Sequence, residues 1–175
     1  MLIDFHIKPF HSNTVLLDLF CMTMPKNSYS WHWKKLADLE VVILYRIMAL
    51  RSEVFVVEQD CVYQDLDGLD EAAYHCFAID SNDQPVAYSR VLPAGLAYSE
   101  LAIGRVVTSA SVRGSGLGHE LLQRTLQHCE HTWGHQAIKL SAQEHLQGYY
   151  QRWGFNTISE VYLEDGIPHV AMLRK

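Results

Sequence analysis

The chain has 175 residues and a mass of 20.0 kDa, enough for one well-buried domain and too little to make two the expectation. Hydrophobic residues make up 49% and charged residues 19%, a globular composition that excludes general disorder. The formal net charge of -6 argues against a nucleic-acid or membrane surface, since both select a basic face, and it is compatible with a cationic small partner.

The chain opens with "MLIDFHIKPFHSNTVLLDLFCMTM", in which "VLLDLFC" has the apolarity of a secretion-signal core. Asp18 interrupts it and no small-residue cleavage site follows, so residues 1–23 read as an N-terminal extension and residues 24–175 as the domain. No run approaches the roughly 18 apolar residues of a membrane span. Cys21, Cys61, Cys76 and Cys129 form no C-x-x-C pair, which excludes a zinc knuckle or a redox motif and predicts free thiols in a reducing cytoplasm.

Next, "YSWHWKKL" alternates as a first strand does. "LADLEVVILYRIMALRSEVF" spaces its apolar residues helically, with Leu39, Val42, Ile43, Ile47 and Leu50 on one side. "AYHCFAID", "QPVAYSRVLP" and "SELAIGRVVTS" are three strand segments, the first two joined by the turn-forming "SNDQ". A second helix follows, its inward face marked by Leu117, Leu121, Leu122, Leu126 and Cys129. "AIKLSA" predicts a short buried strand, "HLQGYYQRW" a short helix and "NTISEVYLEDGIPHVAMLRK" a closing hairpin pair. The sum is an α/β (α+β) sheet covered by helices.

Between the third strand of that trio and the second helix, "RVVTSASVRGSGLGHELLQRTLQHC" places Gly114, Gly116 and Gly118 at a strand-to-helix junction. Such glycines either make a sharp turn and let the helix sit close to the sheet, or let successive N–H groups converge on a phosphate at a helix N-terminus. No Lys follows as G-x-x-x-x-G-K-[ST] requires, and the G-x-G-x-x-G spacing is absent, which excludes a nucleoside-triphosphate loop and a dinucleotide fingerprint.

The pattern that does fit is Arg113-x-x-Gly116-x-Gly118, which resembles the acetyl-CoA-binding loop of the GNAT acetyltransferases. "YYQRWGF" aligns Tyr150, Gly154 and Phe155 with a second GNAT motif, while Gln143 and Leu146 stand where many members carry Asn and Ala. "RSEVFVVEQDCVYQDLDGLD", "IGRVV", "LSAQEHLQGYY" and "EDGIPHVAM" look like the ElaA-type branch, and similarity runs from about Trp33 to Arg174. The resemblance implies a mixed, mostly antiparallel central sheet, flanked by helices and splayed at the acetyl-CoA-binding strand. It implies that Arg113, Gly114, Ser115, Gly116, Leu117 and Gly118 hold the pyrophosphate. It further implies that Val106, Val107 and Thr108 lie along the pantetheine arm, with Gln143 nearby.

Direct acetyl transfer to an amine requires a neutral nucleophile, oxyanion donors and an acid for the departing thiolate. The backbone near Val106 or Val107 supplies the donor, and Tyr150, a phenol with a reference pKa of about 10, is the candidate acid. Its alternative is an interface tyrosine with a satisfied hydroxyl. Glu53, Glu58, Asp60, Asp65, Asp67, Asp70 and Glu71 read either as a solvated loop face or as a wall attracting a cationic amine. In the second reading Glu58 is the candidate base, Glu100 its rival, and Arg51 is placed to pair with Glu53.

Gly68 sits at the wrong loop position for an EF-hand, so calcium is not expected. His128, His131 and His135 read as surface residues near a helix C-terminus rather than metal ligands, and His75 as a hydrogen-bonded core residue. His169, in "EDGIPH", is better placed to matter, although the stretch is equally a tight hairpin. The expectation is therefore a cytoplasmic, metal-free N-acetyltransferase, monomeric or homodimeric, using acetyl-CoA on a small-molecule or peptide amine, without nucleic-acid or membrane partners. The alternatives are an acyl-CoA-binding sensor without turnover and an enzyme like the acyl-homoserine-lactone synthases, which "RSEVF" fits loosely.

Overall fold

A computed structural model describes residues 28–175; the extension at residues 1–23 and the boundary at Met24 lie outside the described residues. The elements are β1 (Ser30–Lys35), α1 (Val41–Ser52), β2 (Tyr74–Ile79), β3 (Pro85–Leu92), β4 (Leu101–Thr108), α2 (Leu117–Trp133), β5 (Ile138–Gln143), α3 (Gln147–Gln151), β6 (Asn156–Thr157), β7 (Tyr162–Glu164) and β8 (Ile167–Arg174). The sheet runs β1-β2-β3-β4-β5-β8-β6, with β7 also paired to β8. Every pairing is antiparallel except β4 with β5, so the sheet is mixed and mostly antiparallel.

Local chemistry explains most boundaries. β3 is buried along its whole length, as a central strand covered on both faces must be. Its turn from β2 closes on Asp80, whose Oδ1 accepts the amides of Asn82 (2.8 Å) and Gln84 (2.9 Å). The predicted inward face of α2 is observed, with Leu117, Leu121, Leu122, Leu126 and Cys129 all buried and Thr125 among them. On α1 the register differs from the helical-spacing expectation. The helix starts only at Val41, Ile47 and Leu50 are buried, and Val42, in its first turn, is 57% exposed. Its last turn widens into a π-helical segment, Glu53–Glu58, which burial of Val54 anchors. The C-terminal stretch makes three strands rather than a hairpin pair, since β6 and β7 both add to β8.

Two irregularities shape the centre of the sheet. β4 and β5 pair only at Leu101↔Ile138 and Ala102↔Lys139, and beyond these positions they part. Between Tyr88↔Val107 and Arg90↔Gly104 the β3–β4 register shifts, so Arg105 and Val106 oppose Ser89 as a bulge. Arg105 takes φ +53° there, a left-handed conformation uncommon for a residue with a side chain.

That strain is balanced by an ion-pair network that corrects the reading of the acidic run. Arg51 does not pair with Glu53. It is fully buried, donating from Nε to Asp65 (2.9 Å), from Nη1 to Asp70 (2.7 Å) and from Nη2 to the Asp65 carbonyl (3.1 Å). Arg90 donates from both Nη atoms to Asp67 at 2.6 Å, and Arg105 Nε reaches Asp65 at 2.6 Å. Three aspartates of the run are thus neutralised internally. His75 joins them as the expected core residue, Nε2–H donating to the Asp70 carbonyl (3.0 Å) and Nδ1 accepting from Tyr88 (2.7 Å).

Burial alone raises the Asp67 pKa, but hydrogen bonds from Arg90 and the Leu69 amide, with the charges of Arg90 and Arg105, outweigh it and bring it down to about 2. A depressed carboxylate stabilises the fold above its unfolded pKa of about 3.9 and loses that contribution as pH falls toward its folded value. Asp67→Asn should lower Tm at neutral pH and flatten the fall in Tm between about pH 4 and pH 2. Thermal melts across that range check it.

Candidate active site

The parting of β4 and β5 opens a cleft of about 330 Å³ whose walls are Ile103–Val106 on one side and Leu140–Gln143 on the other. Tyr150, from α3, closes one end. Its ring packs edge-on to Tyr149 (5.1 Å) and Phe155 (6.0 Å), and the side chain is 7% exposed. Burial, with the neighbouring Tyr149, raises the phenol's pKa, so it holds its proton at neutral pH. Among the described residues no hydrogen bond engages its hydroxyl.

The glycine loop lies between β4 and α2. Gly114 (φ +77°) and Gly116 (φ +91°) take left-handed conformations, and Gly116 caps α2. Among the described residues the amides of Gly114, Gly116 and Gly118 donate to no backbone carbonyl, whereas the amides of Ser115 and His119 do. Three free N–H groups therefore gather at the positive end of a 17-residue helix, an arrangement suited to an anion. Gly118 has ordinary helical backbone, and a Cβ there would meet only Thr108 Cγ2 at 3.8 Å. Its bareness serves neither the turn nor the packing of the chain.

The other predicted residues fall in three places. Val106 lines the cleft, and Val107 is buried against Ile47, Leu50 and Val54 on the α1 side. Thr108 ends β4, its carbonyl accepting from Arg113 (3.4 Å). Arg113 is bound bidentately by Glu58, at 2.6 and 2.7 Å, and the hydrogen bond from Arg113 holds the Glu58 carboxyl below its usual range. Gln143 donates to Gln59 at 3.0 Å across the cleft. Glu100 lies before β4 at the paired end of the strands, bonded to Ser99 (2.9 Å), and does not line the cleft.

Arg113–Gly118 do not line the cleft, which is walled instead by Tyr98, Ser141, Glu164 and His169; of these, only His169 was singled out in the sequence, Ser141 and Glu164 standing unremarked within the ElaA-type stretches. Ser141 and Glu164 occupy unremarkable positions in "KLSA" and "YLED", and only the pairing of β5, β7 and β8 brings them together. Asp165 and Gly166, at φ +49° and +81°, make the two-residue turn that "EDGI" predicts. The helix-end histidines stay outside the cleft, His128 stacking on Trp33 at 4.8 Å. Among the described residues no group of three or more His, Cys, Asp or Glu side chains is arranged to hold a metal ion, and no helix is long and apolar enough to cross a membrane.

Residues 40–175 match the family model for the acetyltransferase (GNAT) domain. The chain belongs to the GNAT acetyltransferase family. Protein ElaA of Escherichia coli K12 is 43% identical over 146 residues, covering 82% of this chain and 95% of that protein. The crystal structure of E. coli ElaA superposes with a TM-score of 0.79 at 41% identity, covering 85% of this chain and 100% of that one. An acyl-CoA N-acyltransferase from Pseudomonas aeruginosa gives 0.81 at 48% identity, with the same coverage. The acyl-homoserine-lactone synthase BjaI, at a TM-score of 0.70 and 16% identity over 83% of this chain, shares the fold alone.

The three free amides lie within the Arg113-x-x-Gly116-x-Gly118 pattern. Gly118→Asp separates fold from binding. An acid in the first helical turn is neutral or slightly stabilising, while its charge repels a phosphate at those amides. The variant should melt within a few degrees of the parent and bind acetyl-CoA at least about tenfold more weakly by calorimetry.

Proposed function

We propose that this protein transfers the acetyl group of acetyl-CoA directly to a primary amine, both substrates being bound together and no covalent enzyme intermediate forming. The observation that carries this reading is the cleft between the parted strands β4 and β5, with free amides in the loop that follows β4 and a buried, protonated tyrosine in the lining. In it Arg113 and the Gly114–Gly118 backbone hold the pyrophosphate, and the β4 edge at Val106 and Val107 lies along the pantetheine arm. A β4 amide stabilises the oxyanion, and Tyr150 protonates the leaving thiolate.

The raised pKa of Tyr150 suits an acid that must be neutral before the C–S bond breaks. Glu58, held by Arg113 and depressed, is assigned to the pyrophosphate loop rather than to the acceptor. Glu100 is set aside as base because it does not face the cleft. A CoA-binding sensor needs neither a proton donor in the cleft nor the polar wall of Ser141, Glu164 and His169, and these favour turnover.

Two measurements test the reading. Acetyl-CoA should raise Tm in proportion to the logarithm of its concentration, and Gly116→Val, which forces a β-branched residue to φ +91°, should abolish most of that shift. Tyr150→Phe, assayed at saturating acetyl-CoA on an amine the parent acetylates, should lower kcat by about 10²- to 10⁴-fold with CoA affinity unchanged. A kcat within about threefold of the parent removes Tyr150 from the mechanism.

A further inference from the structure

We propose that the acceptor amine is bound and deprotonated on the wall formed by β5, β7 and β8, its ammonium on the Glu164 carboxylate and its proton passing to Nε2 of His169. This rests on the N-acetyltransferase reading above.

Strand register puts the groups on one face. Gln143 and Tyr162 both pair with His169, Ser141 with Ala171, and Glu164 with Ile167. Directly paired residues share a face, so Ser141, Tyr162, Glu164 and His169 all lie on the same side of the sheet. Leu140, Ala142, Val170 and Met172, the alternate residues, are buried in the core on the other side.

Proton counting then fixes what each group can do. A carboxylate accepts only, so the Ser141 hydroxyl donates to Glu164 Oε2 at 2.6 Å. Having spent its one proton, Ser141 accepts from the Tyr162 hydroxyl at 2.6 Å. This relay orients an otherwise exposed Glu164 and leaves Oε1 without a hydrogen bond from any described residue. His169 is fixed in the same way. Its Nδ1 lies 2.8 Å from the Ile167 carbonyl oxygen, which can only accept, so Nδ1 carries the hydrogen and Nε2 carries the lone pair. The ring stacks on Tyr162, with centroids 6.4 Å apart.

The surrounding charges select a cation. Glu164 and Asp165 line this end of the cleft, and Gln143 on β5 is neutral. Cys61, on the facing loop, donates to the Asp165 carbonyl (3.6 Å). The two arginines that line the cleft, Arg90 and Arg105, are already bound to Asp67 and Asp65. Lys139, on the same face of β5, holds its ammonium over the Tyr98 ring at 4.3 Å and offsets one of the two carboxylates, so the charge left to a ligand on this wall is negative.

The step balances as follows. His169 Nε2 takes a proton from the ammonium, and the free amine attacks the carbonyl carbon of the acyl-CoA thioester, forming the C–N bond. The C–S bond breaks and the thiolate takes the Tyr150 proton. The second proton on the new amide nitrogen returns to the Tyr150 phenolate, and His169 releases its proton to solvent.

The test uses butylamine, protonated at neutral pH, and hydroxylamine, which is uncharged there and needs no prior deprotonation. His169→Gln should lower kcat for butylamine by about 10²-fold or more while hydroxylamine turnover falls less than about fivefold. Glu164→Gln should raise KM for butylamine about tenfold and leave hydroxylamine unaffected. Side-chain ¹⁵N spectra of the parent should show His169 protonated at Nδ1. If both variants keep butylamine turnover within about threefold, or if the hydrogen sits on Nε2, the proposal is overturned while the acetyltransferase reading stands. A parent that binds acetyl-CoA yet acetylates neither probe overturns both.

Discussion

β4 and β5 meet as parallel neighbours for two residue pairs and then separate, and the rest of the site depends on that separation. Continuous pairing would fill the centre of the sheet with backbone hydrogen bonds and leave no room for a substrate. Parting them leaves, among the described residues, two strand edges that no longer pair with each other, a cost that a buried edge ordinarily avoids. The bulge at Arg105 and Val106 sits opposite β3 in the same stretch and bends β4. In the proposed function an amide-bearing acyl-CoA arm takes the place of the missing strand neighbour, the same economy by which extended peptides add to sheet edges.

The loop that lines one side of the cleft is held by ion pairs. Arg51, Arg90 and Arg105 rise from α1, β3 and β4 and converge on Asp65, Asp67 and Asp70 of one loop. Desolvating Arg51 opposes its charge, but the bond to Asp70 and the charges of Asp70 and Asp65 outweigh this, and its pKa is raised. Removing one member of such a cluster leaves a buried charge uncompensated, at about 3–5 kcal/mol, so the loop is either docked as a unit or not docked. The same loop carries Cys61 and Tyr63 into the cleft, and the adjoining π-helical segment carries Glu58 to Arg113. The π-helical segment next to this loop and the glycine loop are therefore joined by a direct ion pair.

Much of this was legible in the chain itself. The alternation of "YSWHWKKL", the helical spacing after the glycines, the "SNDQ" and "EDGI" turns and the glycine loop are local signals, set by backbone sterics and by which face is apolar, and the structure keeps each of them. Tyr150 and the glycine loop stood out in the sequence because their residue types stand at fixed spacings within one segment. Val42 failed because helical spacing gives a face but not how far along the helix that face is covered, and in the first turn of α1 it is left to solvent. The acidic run failed for a related reason: its partners lie 14 to 40 residues away, and Arg51 and Glu53 looked like a pair only because they are close in sequence.

The sequence by itself determined the family, the order of the longer strands and helices, and the place of the glycine loop, because each rests on contacts within a segment or between consecutive ones. Only the tertiary structure decided where β4 and β5 stop pairing, which carboxylates are neutralised, and that Ser141, Glu164 and His169 share one face. Those facts depend on strand register and on charges brought together from distant segments. Neither has a local signature, since a strand's side-chain pattern is the same whether its neighbour stays or leaves.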